Sequence, residues 1–565
     1  MELESEERFI NKPPKLDPTV NEDILEQLRN IVGERWVNND PEILYNYSAD
    51  MTAQVAPSLI EVVVMPDNAE EIQEIVKLAN KHKIAVVPFA TGANVGGLTL
   101  PHNGGIMIDF KRMRRVLKID RKNKFIVVEP GFTFGHLKRM FDPGGELEGF
   151  RYSFPFSPPW TSVGVNALLN GLGSLGVLYG CANNLISGLE VVLPTGEITQ
   201  IGQNAVNNGE YWIAREPLPD MTGIFVATQG TMGIVTKIGL HIIDSPKYSI
   251  NYAIIPADPD GFFRDWVHDL DKLHVCDELG CGYFPAKVAR GMVPDNMIKL
   301  MGDLAGLVRK GHSVRWLKKV WPLAKLITFN NPFPLVKLLA KIGLLPLPDV
   351  QEDEPLLIIG STITAETKPL FKAKVKAFKK FMKKQDALVI QPAEFGDLEP
   401  VFMSILDLPA QLPAFYDLKR GGGLTWVGSY VPPTNVADGL KKGVEVLKEL
   451  GFFPVGVLRP MKADHYFVLR FIIPFNSASK EEILRVRKAI DQVADVILDT
   501  GGTPYKMAPH IAEKIWERAD PSFYNLIAQI KDCLDPNGIM NPGKLLVNGT
   551  PKHPSKLKDL TGGIE

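Results

Sequence analysis

Between Ile60 and Ile201 the apolar residues come in short extended runs broken by one helical pattern. EVVVM at 61–65, IAVVP at 84–88, IMIDF at 106–110 and FIVVEPG at 125–131 predict strands, because β-branched residues cluster there between turn-forming ones. Residues 68–82 predict a helix: Ile72, Ile75, Val76 and Ala79 recur at the spacing of one buried face, with Glu70, Glu71, Glu74 and Lys77 mostly on the other. LEVVLPTGEI at 189–198 predicts strand, turn and strand, since Pro194 and Gly196 supply turn geometry, and MGIVTKIGLHII at 232–243 predicts another long strand. Strands and helices mixed in this way give an α+β or α/β class.

Past Asp244 the pattern changes. Amphipathic helices at 367–384 and 434–450 precede the strand-like HYFVLRFII at 465–473, which places a second domain there. Residues 521–546 predict a helix and then a turn-rich tail that returns to the first domain.

Composition narrows the class. The 565 residues carry 63 basic and 65 acidic side chains, a net charge of −2, which argues for two or more domains and against general nucleic-acid binding. Cys181, Cys276, Cys281 and Cys533 are too few and too irregularly spaced for a disulfide framework or a zinc site, so no metal is expected. The acidic start MELESEERF lacks a signal peptide's basic and apolar regions, and no apolar run approaches the roughly 18 residues of a membrane span, so the expected location is cytoplasmic.

One stretch departs from the average. Between Leu304 and Pro348, Arg309, Lys310, Arg315, Lys318, Lys319, Lys325, Lys337 and Lys341 occur without any acid, beside Trp316, Trp321, Phe329 and Phe333. The combination suits peripheral contact with an anionic membrane, or an acidic partner. It equally suits a helix pair with a solvated basic face.

Three glycine-rich segments carry the chemistry. PFATGANVGG at 88–97 follows a predicted strand, and its glycines at 92, 96 and 97 permit positive φ and let backbone N–H groups approach phosphate oxygens. SVGVNALLNGLGSLGVLYG at 162–180 is the second and GTMGIVTKIG at 230–239 the third. Gly171, Gly173 and Gly176 match the G-x-G-x-x-G of a nicotinamide site, but residues 162–170 look helical and 177–188 loop-like, the reverse of the strand and helix that motif requires.

In this order, with DPNGIMNPGKLL at 535–546, the segments resemble the flavoproteins of the vanillyl-alcohol oxidase and p-cresol methylhydroxylase superfamily over nearly the whole chain. The resemblance implies an α+β fold: a two-part FAD-binding domain from residues 1–245 and 502–565, with a cap domain of 246–501 whose antiparallel sheet roofs the flavin ring. It implies FAD contacts at Pro88, Thr91, Gly92, Ala93, Asn94, Val95, Gly96 and Gly97 in the first loop, and at Ser162, Val163, Gly164, Asn166, Gly171, Gly173, Tyr179 and Gly180 in the second segment. Gly230, Gly233, Ile234 and Val235 in the third segment and Asn541 in the tail complete the set. A homodimer is implied as well.

RGGGLTWVGSYVP at 420–432, LRPMKADHYFVLRFIIPFN at 458–476 and GGTPYKMAPHI at 501–511 resemble the 4-alkylphenol-oxidising subgroup. That subgroup binds the phenolate oxygen with a Tyr-Arg pair, and the matching positions are Tyr505 and Lys506. A lysine is a point charge without the guanidinium fork. The first loop is one residue shorter than the family's where a second phenolate-binding tyrosine would stand, and Ser157 falls where the vanillyl-alcohol enzyme has an active-site aspartate. Covalent flavin attachment, where present, falls at Tyr466 or His465, of which at most one can reach the ring because successive strand residues face opposite sides. FAD held without a bond is the alternative.

The expected function is FAD-dependent oxidation of a para-substituted phenol or an alcohol by hydride transfer, with electrons passed to a separate acceptor such as a quinone, a cytochrome or an electron-transfer flavoprotein. A 2-hydroxy-acid dehydrogenase is the alternative on the same fold, with Lys506 or Arg459 on the carboxylate and His465 or His510 as base. A third reading is a membrane-associated transferase of the alkylglycerone-phosphate synthase type.

Overall fold

The computed structural model describes residues 19–50, 58–94, 96–102, 104–256, 261–285, 355–385, 387–391, 422–452 and 454–546. The basic stretch 304–348 and Val95 lie outside them.

The first sheet runs β1 (Val37–Asn38), β2 (Val62–Val64), β4 (Ile106–Asp109), β3 (Val86–Phe89), with β2, β4 and β3 parallel. Parallel strands need a crossover, and the helix Ala69–His82 supplies it. Asn68 caps that helix by accepting from the Glu71 N–H at 2.8 Å, and Ile72, Ile75, Val76 and Ala79 are fully buried against the sheet. The tail returns here as expected: Val86 donates to Ile539 and accepts from Asn541, both at 2.8 Å.

A second, antiparallel sheet is built from β5 (Val116–Asp120), β6 (Phe125–Val128), β8 (Ile186–Val192), β9 (Ile198–Ile201) and β10 (Ile234–His241) in the order β5-β6-β10-β8-β9. The intervening β7 (Phe150–Arg151) pairs with β11 (Ile243–Asp244).

A third sheet follows, in the region expected to form the cap. It comprises β12 (Tyr248–Ile255), β13 (Glu278–Pro285), β14 (Pro355–Ala365), β15 (Leu388–Ile390), β16 (Gly422–Val431), β17 (Val455–Met461), β18 (Tyr466–Asn476) and β19 (Thr503–Pro504), ordered β15-β12-β14-β13-β17-β18-β16-β19 and antiparallel throughout. Period-two alternation divides β18. Phe467, Leu469, Phe471, Ile473 and Phe475 are fully buried in the core that includes the helices Val436–Glu449 and Lys480–Asp499. Tyr466, Val468, Arg470 and Ile472 take the opposite face, toward the FAD-binding half. On β16 the same face carries Leu424, Trp426, Gly428 and Tyr430.

Candidate active site

The first glycine loop leaves β3 with Gly92, Gly96 and Gly97 all at positive φ (68°, 81° and 70°). It is held from within by Asn94, which accepts from the Leu98 N–H and donates to Thr99 Oγ1 at 3.0 Å, and from outside by Asp50, which accepts from the Gly97 N–H at 2.7 Å. The third segment packs directly on the first: a Cβ on Gly230 would lie 2.6 Å from Pro88 Cγ. Asn541 joins three segments, its Nδ2 donating to the carbonyls of Leu98 at 3.2 Å and Gln229 at 2.7 Å while its backbone pairs with β3.

In the second segment Ser162 caps the short helix Val163–Leu168 through a 3.1 Å bond from the Val165 N–H. Gly171 lies against Asn166, Gly173 against Ser153 and Gly176 against Met461, contacts that leave no room for a Cβ. The turn between β17 and β18 docks on this segment, Lys462 and Ala463 donating to the carbonyls of Gly176 and Val177 at 2.9 and 2.7 Å. The loops of the FAD half and the cap sheet are thereby fixed to each other.

Between them lies a cavity, open at its mouth. Ala93, Pro155, Ser157, Thr161, Asn166 and Gly171 line one wall; Leu424, Trp426, Arg470, Ile472, Tyr505 and Lys506 line the other. Ser157 Oγ, Thr161 Oγ1 and Asn166 Oδ1 are buried there without a hydrogen-bond partner, as are Gln229 Oε1 and Asn541 Oδ1 where the loops meet. Buried polar atoms in native proteins nearly always have a partner, so the open polar atoms of Ser157, Thr161 and Asn166 suit a polar ligand in the cavity.

The cap wall holds the charge. Arg470 stands on β18 directly opposite Gly428 on β16, and the room left by that glycine is filled by the Tyr505 ring. Arg470 Nε donates to the Tyr505 hydroxyl at 3.0 Å and a second guanidinium nitrogen donates at 2.5 Å. Tyr430 stacks on Tyr505 with centroids 5.2 Å apart. Lys506 places its ammonium 5.4 Å from the Trp426 ring centre, and burial together with the Arg470 charge brings its pKa down to about 7. Burial raises the Tyr505 hydroxyl, against the opposing pull of Arg470. No Asp, Glu or His is among the described lining residues.

Several candidates fall elsewhere. The cation bonded to Tyr505 is Arg470, which the sequence reading missed; Lys506 is its neighbour over Trp426. Arg459 is no carboxylate holder facing the cavity: its guanidinium donates to the Gly173 carbonyl, pinning β17 to the second segment, and burial lowers its pKa. His465 sits exposed on the β17–β18 turn. Tyr466, on the face toward the FAD half, engages its hydroxyl with Cys181 Sγ at 3.0 Å and lies beside Gly180. His510 stands on the helix Pro509–Arg518 outside the cavity lining, among Asp491, Lys514 and Arg487, with burial lowering its pKa to about 4. Val163 and Ile234 are buried in the cores, and Gly164 is bare because Ile238 packs on it at 2.6 Å from where a Cβ would be. Thr91 and Val235 are half-buried, and Tyr179 is exposed. Gly233, at φ 156°, packs on Val191 and Val192 behind the third loop.

Residues 60–202 match the FAD binding domain model, and residues 418–545 match the C-terminal domain of FAD linked oxidases. The 4-cresol dehydrogenase [hydroxylating] flavoprotein subunit of Pseudomonas putida is 25% identical over 542 residues, spanning 92% of this chain and 94% of that one. The chain carries the FAD binding domain and the C-terminal domain of FAD linked oxidases, and over nearly its full length it is similar to that cresol-oxidising flavoprotein. The mitochondrial D-lactate dehydrogenase [cytochrome] of Arabidopsis thaliana is 28% identical over 232 residues, 41% of this flavoprotein and 39% of that enzyme, so the match spans less than half of that relative. The fold is that of the 4-ethylphenol oxidase from Gulosibacter chungangensis, solved as an isoeugenol complex, with a TM-score of 0.76 at 18% identity over 95% of this chain and 99% of that one. FAD, when bound, supplies a hydride acceptor at flavin N5. The glycine loops and Asn541 fit its pyrophosphate-bearing half; Thr161 and Asn166 offer acceptors along the cavity, which the cap wall of Tyr505, Arg470 and Lys506 closes.

Proposed function

We propose that this flavoprotein oxidises a para-substituted phenol or an alcohol, and passes the electrons to a separate acceptor. The observation that carries the reading is the cap wall: an oxyanion-binding corner of Tyr505, Arg470 and Lys506 in a cavity otherwise walled by Trp426, Leu424, Ile472, Phe156 and Leu172. Tyr505 accepts from Arg470 and keeps its own proton to donate to a substrate oxygen. An ionised ring oxygen pushes electrons toward the para carbon, and fixed donors at that oxygen stabilise the charge. The full-length span of the 4-cresol dehydrogenase subunit, against the partial span of the D-lactate dehydrogenase, supports the phenol class.

A 2-hydroxy acid would place its carboxylate on the same cations, but it needs a base for its hydroxyl proton. The described cavity lining contains no histidine or carboxylate to serve. A phenol carries its own driving oxygen, so we place phenols first and other alcohols second.

The homodimer and the contact of 304–348 with a membrane or an acceptor protein stay part of this proposal; no described helix is long and apolar enough to cross a membrane. We also propose that residues 1–245 and 502–565 form the FAD-binding domain and 246–501 the cap, with β19 of the C-terminal part joining the cap sheet beside β16 so that Tyr505 and Lys506 complete its cavity face. Turnover of 4-ethylphenol with an added one-electron acceptor, compared with turnover in air alone, tests the reading. Faster turnover with the acceptor is expected. Equal rates would make the protein an oxidase, and activity confined to 2-hydroxy acids would overturn the phenol assignment.

A further inference from the structure

Two cations, Arg470 and Lys506, line the cavity, and neither forms an ion pair with a described residue. They differ in what they can do. Arg470 spends two N–H groups on the Tyr505 hydroxyl, and a guanidinium only donates. Lys506 has no hydrogen bond to a described residue, and its amine sits over the Trp426 ring. A phenol that enters this corner is neutral in water near pH 7, and its proton must go somewhere for the ring oxygen to become an anion. Tyr505, whose hydroxyl lies beside Arg470 and is held above its ordinary pKa by burial, is already protonated and cannot take it.

We infer that Lys506 is the proton acceptor for the substrate hydroxyl, and that Arg470, acting with Tyr505, holds the phenolate so formed. The inference rests on the phenol reading above. The O–H bond of the phenol breaks, an N–H bond forms at Lys506 Nζ, and the pair changes from two neutral groups to an anion and a cation. No electrons change hands, and the net charge of site plus substrate is conserved. The charged groups facing Lys506 are Arg470 from β18 and Asp50 from the segment before β2; the first lowers and the second raises its proton affinity. Burial, the largest influence, and these charges together bring its pKa to about 7, so the amine is largely neutral by about pH 8. A guanidinium can hold a phenolate but a neutral amine can also receive its proton, so Arg470 from β18 and Lys506 divide two roles between two side chains.

The test uses the FAD-loaded protein and 4-fluorophenol, whose para substituent cannot be oxidised and whose hydroxyl, like tyrosine's, ionises near about pH 10 in water. The 19F shift of the bound ligand reports its ionisation, and calorimetry in buffers of different ionisation heat counts protons released. At about pH 8 the wild type is expected to bind the ligand as phenolate with almost no proton released. Lys506→Arg keeps the charge but removes the base; it should bind phenolate with about one proton released per ligand and roughly 10–100-fold weaker. Lys506→Met should bind the neutral phenol. A neutral bound ligand in the wild type, or equal proton release by wild type and Lys506→Arg, overturns the inference while leaving the phenol reading intact. Failure of any phenol to bind overturns both, and tight binding of mandelate in its place would then identify the carboxylate class.

Discussion

Arg470 is the residue on which the oxyanion corner turns. Its two bonds occupy the Tyr505 oxygen as an acceptor and leave that group's proton for another partner, so losing the guanidinium removes charge and positioning together. Arg470→Met should lower kcat/KM for 4-alkylphenols by about 100–1,000-fold, the range for loss of a preorganised oxyanion donor, with the far-UV circular dichroism unchanged. Lys506 makes a different statement, about stability. Its folded pKa of about 7 lies below the ordinary 10.5, so the unfolded chain binds the extra proton between those values and stability rises with pH across that window. The contribution is full above 10.5 and lost as pH falls through about 7. Lys506→Met removes the penalty, and thermal melts should show its Tm above the wild type's at neutral pH, with the gap closing toward pH 10.5. A gap that widens with pH would contradict the assignment. Of these residues Tyr505 and Lys506 were legible from a matched motif, whereas Arg470 was not. The signal for it was a single charge inside the apolar strand YFVLRFIIPFN, and only the register that sets Arg470 against Gly428 shows why the strand tolerates it.

At the scale of elements, the glycine segments and the tail are joined through side chains that pattern reading ranks low. Asn541, nearly fully buried, ties the first loop, the third loop and β3. Asn541→Ala should cost about 1–3 kcal/mol of stability by leaving the carbonyls of Leu98 and Gln229 unpaired, and should weaken FAD retention, both measurable by melting with and without added FAD. Gly428 works by absence: a Cβ would meet Tyr505 at 2.6 Å from Cε1, so Gly428→Ala should raise KM for phenols while FAD affinity holds, as kinetics and a flavin titration together would show. The strands β2, β4, β6, β8 and β10 and the helix Ala69–His82 lie within a few residues of their expected positions, because apolar runs and one 3.6-period stripe mark them strongly. The edge strand β5 has no buried residue and leaves no apolar run to read. The orientation of His465 and Tyr466 depended on the residue at which β18 begins; with the strand starting at Tyr466, the tyrosine faces the FAD half and the histidine stays on the turn. Arg459 was misread for a related reason, since sequence shows a cation but not that the Gly173 carbonyl is waiting for it.

For the whole molecule, the cap sheet is a partition: a wall of Phe467, Leu469 and Phe471 toward its helices, and a chemically active face toward the FAD half. A fold that binds FAD when the unfolded chain does not should be more stable loaded than empty, by about 2.7 kcal/mol when free FAD stands at 100 times its Kd. The central claim is that FAD and the oxyanion corner act on one phenolic substrate, and it is tested most directly by anaerobic titration of the purified yellow protein with 4-alkylphenols, aryl alcohols and 2-hydroxy acids while the flavin absorbance is followed. Bleaching by 4-alkylphenols, lost in Arg470→Met, is the outcome this account predicts. Bleaching by 2-hydroxy acids alone, or by no member of the three classes, would contradict it.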